Sequence, residues 1–184
     1  EKVEPDTTCF AFVGDSTFFA SAITGVVNAV YNQANMVLVV LDNSTTAMTG
    51  HQPHPGTGRT VMREIVQKIN IEQVLRGIGV TEIETINPLE LEASVSCVKR
   101  MAEKSGVRAI IFKAPCIAVT KPKAPLHVDQ DSCIGCKKCI RDLGCPAIVM
   151  NDGKICIDAS MCTGCHLCSQ VCPVCAIAGG DDHE

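Results

Sequence analysis

The stretch CFAFVGDSTFFASAITGVVNAVYNQANMVLVVLDNSTT, residues 9–46, decides the fold. Cys9–Val13 is an unbroken apolar run of strand length, closed by Gly14 and Asp15. Runs of this kind belong to strands covered on both faces in a parallel sheet. Ser16 or Thr17 can cap a following helix from Phe18 to about Tyr31, where Ala20, Ala22, Gly25 and Ala29 permit close packing. Met36–Leu41 predicts a second buried strand. Working outward, Asp42–Gly58 is a long loop rich in Thr, Gly, Pro and His, and loops of that length are functional or mobile. Helices are predicted over Thr60–Ile69 and Ile71–Ile78, the second closed by Gly79. A strand follows at Glu82–Ile86. A helix entered at Pro88 runs through Leu91, Val95, Val98 and Met101 to Lys104 and stops at Gly106. Val107–Phe112 is a fourth strand. Strands alternating with helices predict an α/β fold, a parallel sheet with helices on both faces.

Thr120–Pro125, with two prolines and two lysines, reads as a linker. It separates an α/β domain, 1–119, from a small α+β domain, 126–184, that is short of long helices and dense in cysteine. Residues 1–125 hold 12 basic and 12 acidic side chains, whereas 126–184 hold 4 and 8. The net charge of −4 and an aromatic content of 3% argue against a nucleic-acid partner, which needs basic or stacking surface. No apolar run approaches the ~18–20 residues of a membrane span. A disulfide scaffold is one reading of 13 cysteines in 184 residues. The α/β pattern and the lack of a signal-peptide pattern favour a cytoplasmic protein instead. The first residue is not Met and Glu1–Thr8 leads straight into a strand, so a fragment or processed chain is expected.

Ten of the cysteines lie between Cys133 and Cys175. Their spacing is duplicated. Cys133, Cys136 and Cys139 are followed by Cys145-Pro146; Cys162, Cys165 and Cys168 are followed by Cys172-Pro173. Three cysteines separated by two residues wrap a corner of a [4Fe–4S] cubane, and the remote cysteine before proline ligates the cluster of the other half. Cluster 1 is thus expected on Cys133, Cys136, Cys139 and Cys172, and cluster 2 on Cys162, Cys165, Cys168 and Cys145. Gly135 and Gly164 allow the tight turn. Zinc is the competing metal, but its sites pair two knuckles across a longer loop. The module resembles the bacterial two-cluster ferredoxins; its first half departs by two extra residues before Cys145. Cys156 and Cys175 are left over and read as small packing residues.

Gly14-Asp15-Ser16 follows one predicted strand, and Asp42-Asn43 follows the next, with 27 residues between Asp15 and Asn43. A carboxylate and an amide then sit at the carboxyl ends of adjacent strands, where open α/β sheets bind ligands. Asp15, Asn43 and the Thr45 carbonyl offer oxygen to a hard divalent ion such as Mg2+. A strand–turn–helix cap plus a loop asparagine would look the same. The layout resembles the thiamine diphosphate motif, with Ser16 at its third position. Extended through Phe18-Phe19 and the run Leu41 to Gly56, it resembles the alpha subunit of indolepyruvate ferredoxin oxidoreductase, which also ends in a two-cluster ferredoxin module.

That resemblance implies a 2-oxoacid:ferredoxin oxidoreductase using thiamine diphosphate, Mg2+ and two [4Fe–4S] clusters. It implies Gly14, Asp15, Ser16, Thr17, Asn43 and Thr45 at the cofactor. It also implies the remainder of the alpha subunit, a beta subunit, external ferredoxin, coenzyme A and an aryl 2-oxoacid as partners and substrates. His51 is the candidate for proton transfer, ahead of His54, with loop hydrogen bonding as the plainer role for both. Arg59 reads more readily as a solvated charge than as an anion ligand. An electron-transfer module with a non-catalytic α/β docking domain, and an oxidoreductase for another 2-oxoacid, are the alternatives.

Overall fold

The computed structural model describes residues 7–179. They form two compact units, with the boundary between Val119 and Thr120. In the first, β1 (Cys9–Gly14), β2 (Met36–Asp42), β3 (Glu82–Ile86) and β4 (Val107–Lys113) make a four-stranded sheet in the order β1-β2-β4-β3, parallel throughout.

The central strands explain their own sequence. Leu38 and Val40 of β2 and Ala109 and Ile111 of β4 pack on one face against Phe18, Val26, Ile71 and Leu75. Val37, Val39 and Ile110 pack on the other against Cys97 and Met101. A strand buried on both faces cannot alternate apolar with polar, hence MVLVV and AIIF. The helices are α1, α2 (Ile71–Ile78) and α3 (Leu91–Glu103). The Asn70 side chain caps α2 by accepting from the Gln73 N–H at 3.1 Å, and Gly79, at φ +106°, closes it. Helix α1 opens with an α-turn at Asp15–Thr17, runs as π-helix over Phe18–Ala22, and continues as α-helix over Ile23–Tyr31. π-segments recur at functional sites.

β1 is an edge strand among the described residues. Phe10 and Phe12 lie in register with Val37 and Val39, on the face that α3 covers further along. Phe12 is 67% exposed.

The helix predicted over Thr60–Ile69 is absent. Arg59 bridges Ile65, the Thr60 N–H donates to the Glu64 carbonyl at 3.0 Å, and Arg63 takes φ +66°. The apolar residues Val61, Met62 and Ile65 are exposed, so no buried stripe holds this segment as a helix against the preference of its β-branched side chains. Arg108, at the start of β4, is fully buried. Its guanidinium bonds the carbonyls of Met101 and Gly106 and the Asn35 amide oxygen, tying the β4 entry to the ends of α3 and the β2 approach.

The second unit pairs β5 (Leu126–Val128) with β8 (Ile177–Gly179), and β6 (Ile148–Asn151) with β7 (Lys154–Ile157), both antiparallel. Asp152 and Gly153, both at positive φ, close the β6–β7 hairpin. Two short helices follow the cysteine loops, α4 (Lys138–Leu143) and α5 (Leu167–Val171). The duplication reaches past the cysteines. Asp129 and Asp158 each sit four residues before a loop, and their carbonyls accept from the N–H of Cys133 and Cys162 at 3.0 Å. Gly135 and Gly164 have φ +64° and +69°, and Lys137 and His166 φ +59° and +61°. Cys156 is half-buried on β7. Cys175 is exposed at φ +51°, so packing does not explain it. Among the described residues no helix is long and apolar enough to cross a membrane.

Candidate cofactor sites

Asp15 is the first residue past β1 and is buried at 3% exposure. Its Oδ1 accepts from the Ser16 N–H at 2.8 Å. Its Oδ2 accepts from the Ser44 N–H at 2.8 Å and lies 3.1 Å from His54 Nε2. The Asp42 carboxyl adjoins it, and burial holds the Asp15 carboxyl above the usual carboxylate range despite the Ser16 bond and His54. Asp42 itself accepts from the Ser44 N–H at 3.0 Å and faces Lys113 at 3.4 Å. The Thr46 hydroxyl donates to the Ser16 hydroxyl at 2.9 Å. The turn after β1 is thereby stitched to the turn after β2, at the carboxyl ends of neighbouring strands.

Asn43 sits in that second turn. Its side-chain oxygen accepts from the Thr45 N–H at 3.1 Å, and its carbonyl from the Cys116 N–H at 3.0 Å. Thr45 is buried. Gly14 precedes the first helical turn without a side-chain cap, and Thr17 lies within it. These are the residues the sequence assigned to the cofactor, brought to one end of the sheet. Two buried carboxyls side by side, met by N–H groups, the Ser44 hydroxyl, His54 and Lys113, put oxygen donors of the kind a hard divalent cation takes at this end of the sheet.

The two histidines are placed differently. His51 is exposed, at φ +63°, its N–H bonded to the Thr46 carbonyl. It lines a cavity with Ser44, Thr45, Arg59, Thr60 and Arg63. His54 is buried against Asp15, with the Phe19 ring 5.8 Å away. Pro53 and Pro55 flank His54 and stiffen the backbone there, but its contact with Asp15 spans 39 residues and leaves no local mark in the sequence.

In the second unit, Cys133, Cys136, Cys139 and Cys172 line one cavity with Ile134, Ile155, Val174 and Ile177. Burial pushes the Cys139 thiol up, with Cys136 and Cys172 adding to it. Burial likewise pushes Cys168 to about 11, and Cys165, Cys145 and Cys162 add to it. Each group of three loop cysteines therefore has the remote cysteine of the other half beside it, Cys145 included despite the two extra residues before it. Among the described residues no three His, Cys, Asp or Glu side chains are grouped tightly enough for a single ion. Four thiols around one apolar cavity are the ligand complement of a [4Fe–4S] cluster. The Leu126 and Ala176 N–H groups point at Cys162 and Cys172 sulfur at 3.5 and 3.3 Å, the kind of bond that tunes a cluster.

A ligand-ready turn at the head of a parallel sheet, followed in the chain by a duplicated cysteine module, defines a thiamine-diphosphate domain joined to a dicluster ferredoxin domain. Residues 1–112 match the family described as thiamine pyrophosphate enzyme, C-terminal TPP binding domain, and the chain belongs to that family. Residues 126–173 match the 4Fe-4S dicluster domain. Thiamine diphosphate and a pair of [4Fe–4S] clusters are the cofactors of these domains. The chain is 45% identical over 169 residues to the indolepyruvate oxidoreductase subunit IorA of Methanothermobacter thermautotrophicus, covering 91% of this chain and 27% of that protein. It is 40% identical over 173 residues to the subunit of the same name from Archaeoglobus fulgidus, covering 91% and 28%. The chain thus spans about a quarter of the length of these curated relatives. A solved structure assigned as a thiamin diphosphate-dependent enzyme of Mycobacterium smegmatis aligns over 60% of this chain and 18% of its own, at 22% identity and a TM-score of 0.43.

Proposed function

We propose that this chain is the thiamine diphosphate and iron–sulfur portion of a 2-oxoacid:ferredoxin oxidoreductase, acting on indolepyruvate or a related aryl 2-oxoacid with coenzyme A as acyl acceptor. The observation that carries the reading is the buried Asp15 carboxyl, held between Ser16, Ser44 and His54 in a chain that also carries two four-cysteine groups. Bound thiamine diphosphate supplies the nucleophile and the electron sink for decarboxylation.

The chain's own residues supply the rest. Asp15, the Asn43 amide oxygen and the Thr45 carbonyl would hold Mg2+, whose charge would neutralise the diphosphate. The start of α1, where Thr17 follows Ser16, would turn its positive end toward the same phosphates. Arg59 and Arg63 put positive charge in the cavity beside Thr45, suited to a substrate carboxylate, and His51 lines that cavity as the candidate to move a proton. Cys133, Cys136, Cys139 and Cys172 would hold cluster 1, and Cys162, Cys165, Cys168 and Cys145 cluster 2, groups that would supply one-electron transfer toward an external ferredoxin. The remainder of the alpha subunit and a beta subunit complete the enzyme in the cytoplasm.

The test is ferredoxin reduction by the intact complex with coenzyme A and a panel of indolepyruvate, phenylpyruvate, pyruvate and 2-oxoglutarate, with and without thiamine diphosphate. Aryl substrates should lead, and activity should require the cofactor. Ferredoxin reduction independent of thiamine diphosphate would instead make the α/β unit a docking domain.

A further inference from the structure

The geometry points to His54 as the positioning residue for Asp15: it fixes the carboxylate so that a single oxygen site, on Oδ1, is presented to the metal. This rests on the proposed role of Asp15 as a Mg2+ ligand.

A carboxylate has about four lone-pair sites. Three protein donors converge on Asp15: the Ser16 N–H on Oδ1, and the Ser44 N–H and His54 Nε2 on Oδ2. Oδ2 thereby takes two N–H donors and Oδ1 one, with the Asp42 carboxyl adjoining the residue, so Oδ1 is the oxygen less engaged by N–H groups and Asp15 is shaped as a monodentate ligand. The direction of the His54 bond is fixed by its other nitrogen. Nδ1 accepts from the Gly56 N–H at 3.2 Å, which leaves the proton of a neutral ring on Nε2, donated to Asp15.

The ring has little freedom. The Thr57 hydroxyl donates to the His54 carbonyl at 2.8 Å, and the Phe19 ring lies 5.8 Å from the imidazole, tilted by 31°. A Cβ on Gly56 would come within 3.0 Å of His54 Cε1 and of Phe19 Cε2. The absence of a side chain at residue 56 is what lets the imidazole sit where it does. Groups that orient a metal ligand in this way typically change metal affinity 10–100-fold when removed.

Titration calorimetry of Mg2+ into the intact complex at saturating thiamine diphosphate tests the inference. His54→Phe keeps an aromatic ring beside Phe19 but loses the donor, and should weaken Mg2+ binding about 10–100-fold. His54→Gln places an amide N–H within reach of Oδ2 and should return affinity to within a few-fold of wild type. A merely structural histidine would not be rescued this way. Gly56→Ala changes no polar atom, displaces the ring, and should fall on the side of His54→Phe. Wild-type affinity in His54→Phe, or a Gln variant as weak as the Phe variant, overturns the inference. If His54→Phe fails to fold, wild-type affinity in Gly56→Ala overturns it. Asp15→Ala separates the two layers. If it leaves Mg2+ affinity unchanged, the metal reading itself fails; if it abolishes binding while His54→Phe does not weaken it, only the role of His54 fails.

Discussion

Removing one remote cysteine together with one loop cysteine decides how the two cluster groups are wired. Cys172 stands 33 or more residues from Cys133, Cys136 and Cys139 in the chain, yet lines their cavity; the nearer Cys162, Cys165 and Cys168 are grouped with Cys145. Cys136→Ala or Cys172→Ala alone should remove one cubane and leave the other, so iron content falls to about half. If both cysteines serve the same cluster, the double variant has no second cluster left to damage and keeps that same half. If each half of the module ligated its own cubane, Cys136→Ala would strike one and Cys172→Ala the other, and the double variant would hold almost no iron. Cys145→Ala combined with Cys136→Ala is the complementary case, expected to lose both. Iron and acid-labile sulfide per chain, with electron paramagnetic resonance of the reduced protein, read these outcomes directly. A double Cys136→Ala, Cys172→Ala protein with no iron, beside single variants that keep half, would refute the exchange of ligands between halves.

Gly164→Ala and Gly135→Ala compare equivalent turns. Both positions are left-handed, at a cost of about 1–2 kcal/mol for any Cβ. At Gly164 the new atom would also lie 2.7 Å from the Ala124 carbonyl oxygen, whereas at Gly135 it meets nothing within 4 Å. Gly164→Ala should therefore be the more destabilising by a further ~1–3 kcal/mol in urea unfolding. Asp15→Asn should leave metal-free stability at pH 7 within about 1 kcal/mol, because one N–H bond is lost while a buried charge is relieved. The Asp15 carboxyl is raised on folding, so in metal-free wild type its contribution declines as pH climbs from about 3.9 through the raised folded value, and that slope should vanish in the variant. Asp129 and Asp158 have the opposite sign: Ser132 and Ser160 hold their carboxyls below the ordinary range. Their stabilisation is present above about pH 3.9 and lost as pH falls through the lowered values, so Asp129→Asn with Asp158→Asn should flatten the acid limb of cluster bleaching measured by visible absorbance.

The parts of this molecule legible in the sequence are those set by local chemistry. Strands β2 and β4 announced themselves because burial on both faces leaves no polar position, and α2 carried its own Asn70 cap and Gly79 stop. The cysteine groups were legible from spacing, since three ligands on one short loop have few other uses. What failed was the segment Thr60–Ile69, where apolar residues at helical intervals turned out exposed; periodicity says which residues share a side and not whether anything covers it. The burial of His54 against Asp15, 39 residues away, is a contact that no local pattern encodes. Arg108 was hidden within an apolar strand for the same reason: its partners are carbonyls and an amide from three other segments.

The margin of β1 left unpaired among the described residues has a practical corollary. Six residues of straight backbone, bearing two outward phenylalanines and no charge before Asp15, offer hydrogen-bonding groups to any strand that arrives. Preparations of the α/β unit alone should stick to one another as concentration rises. A lysine introduced at Phe12 would repel that self-association without touching the buried side of the sheet, making the unit easier to crystallise and to titrate.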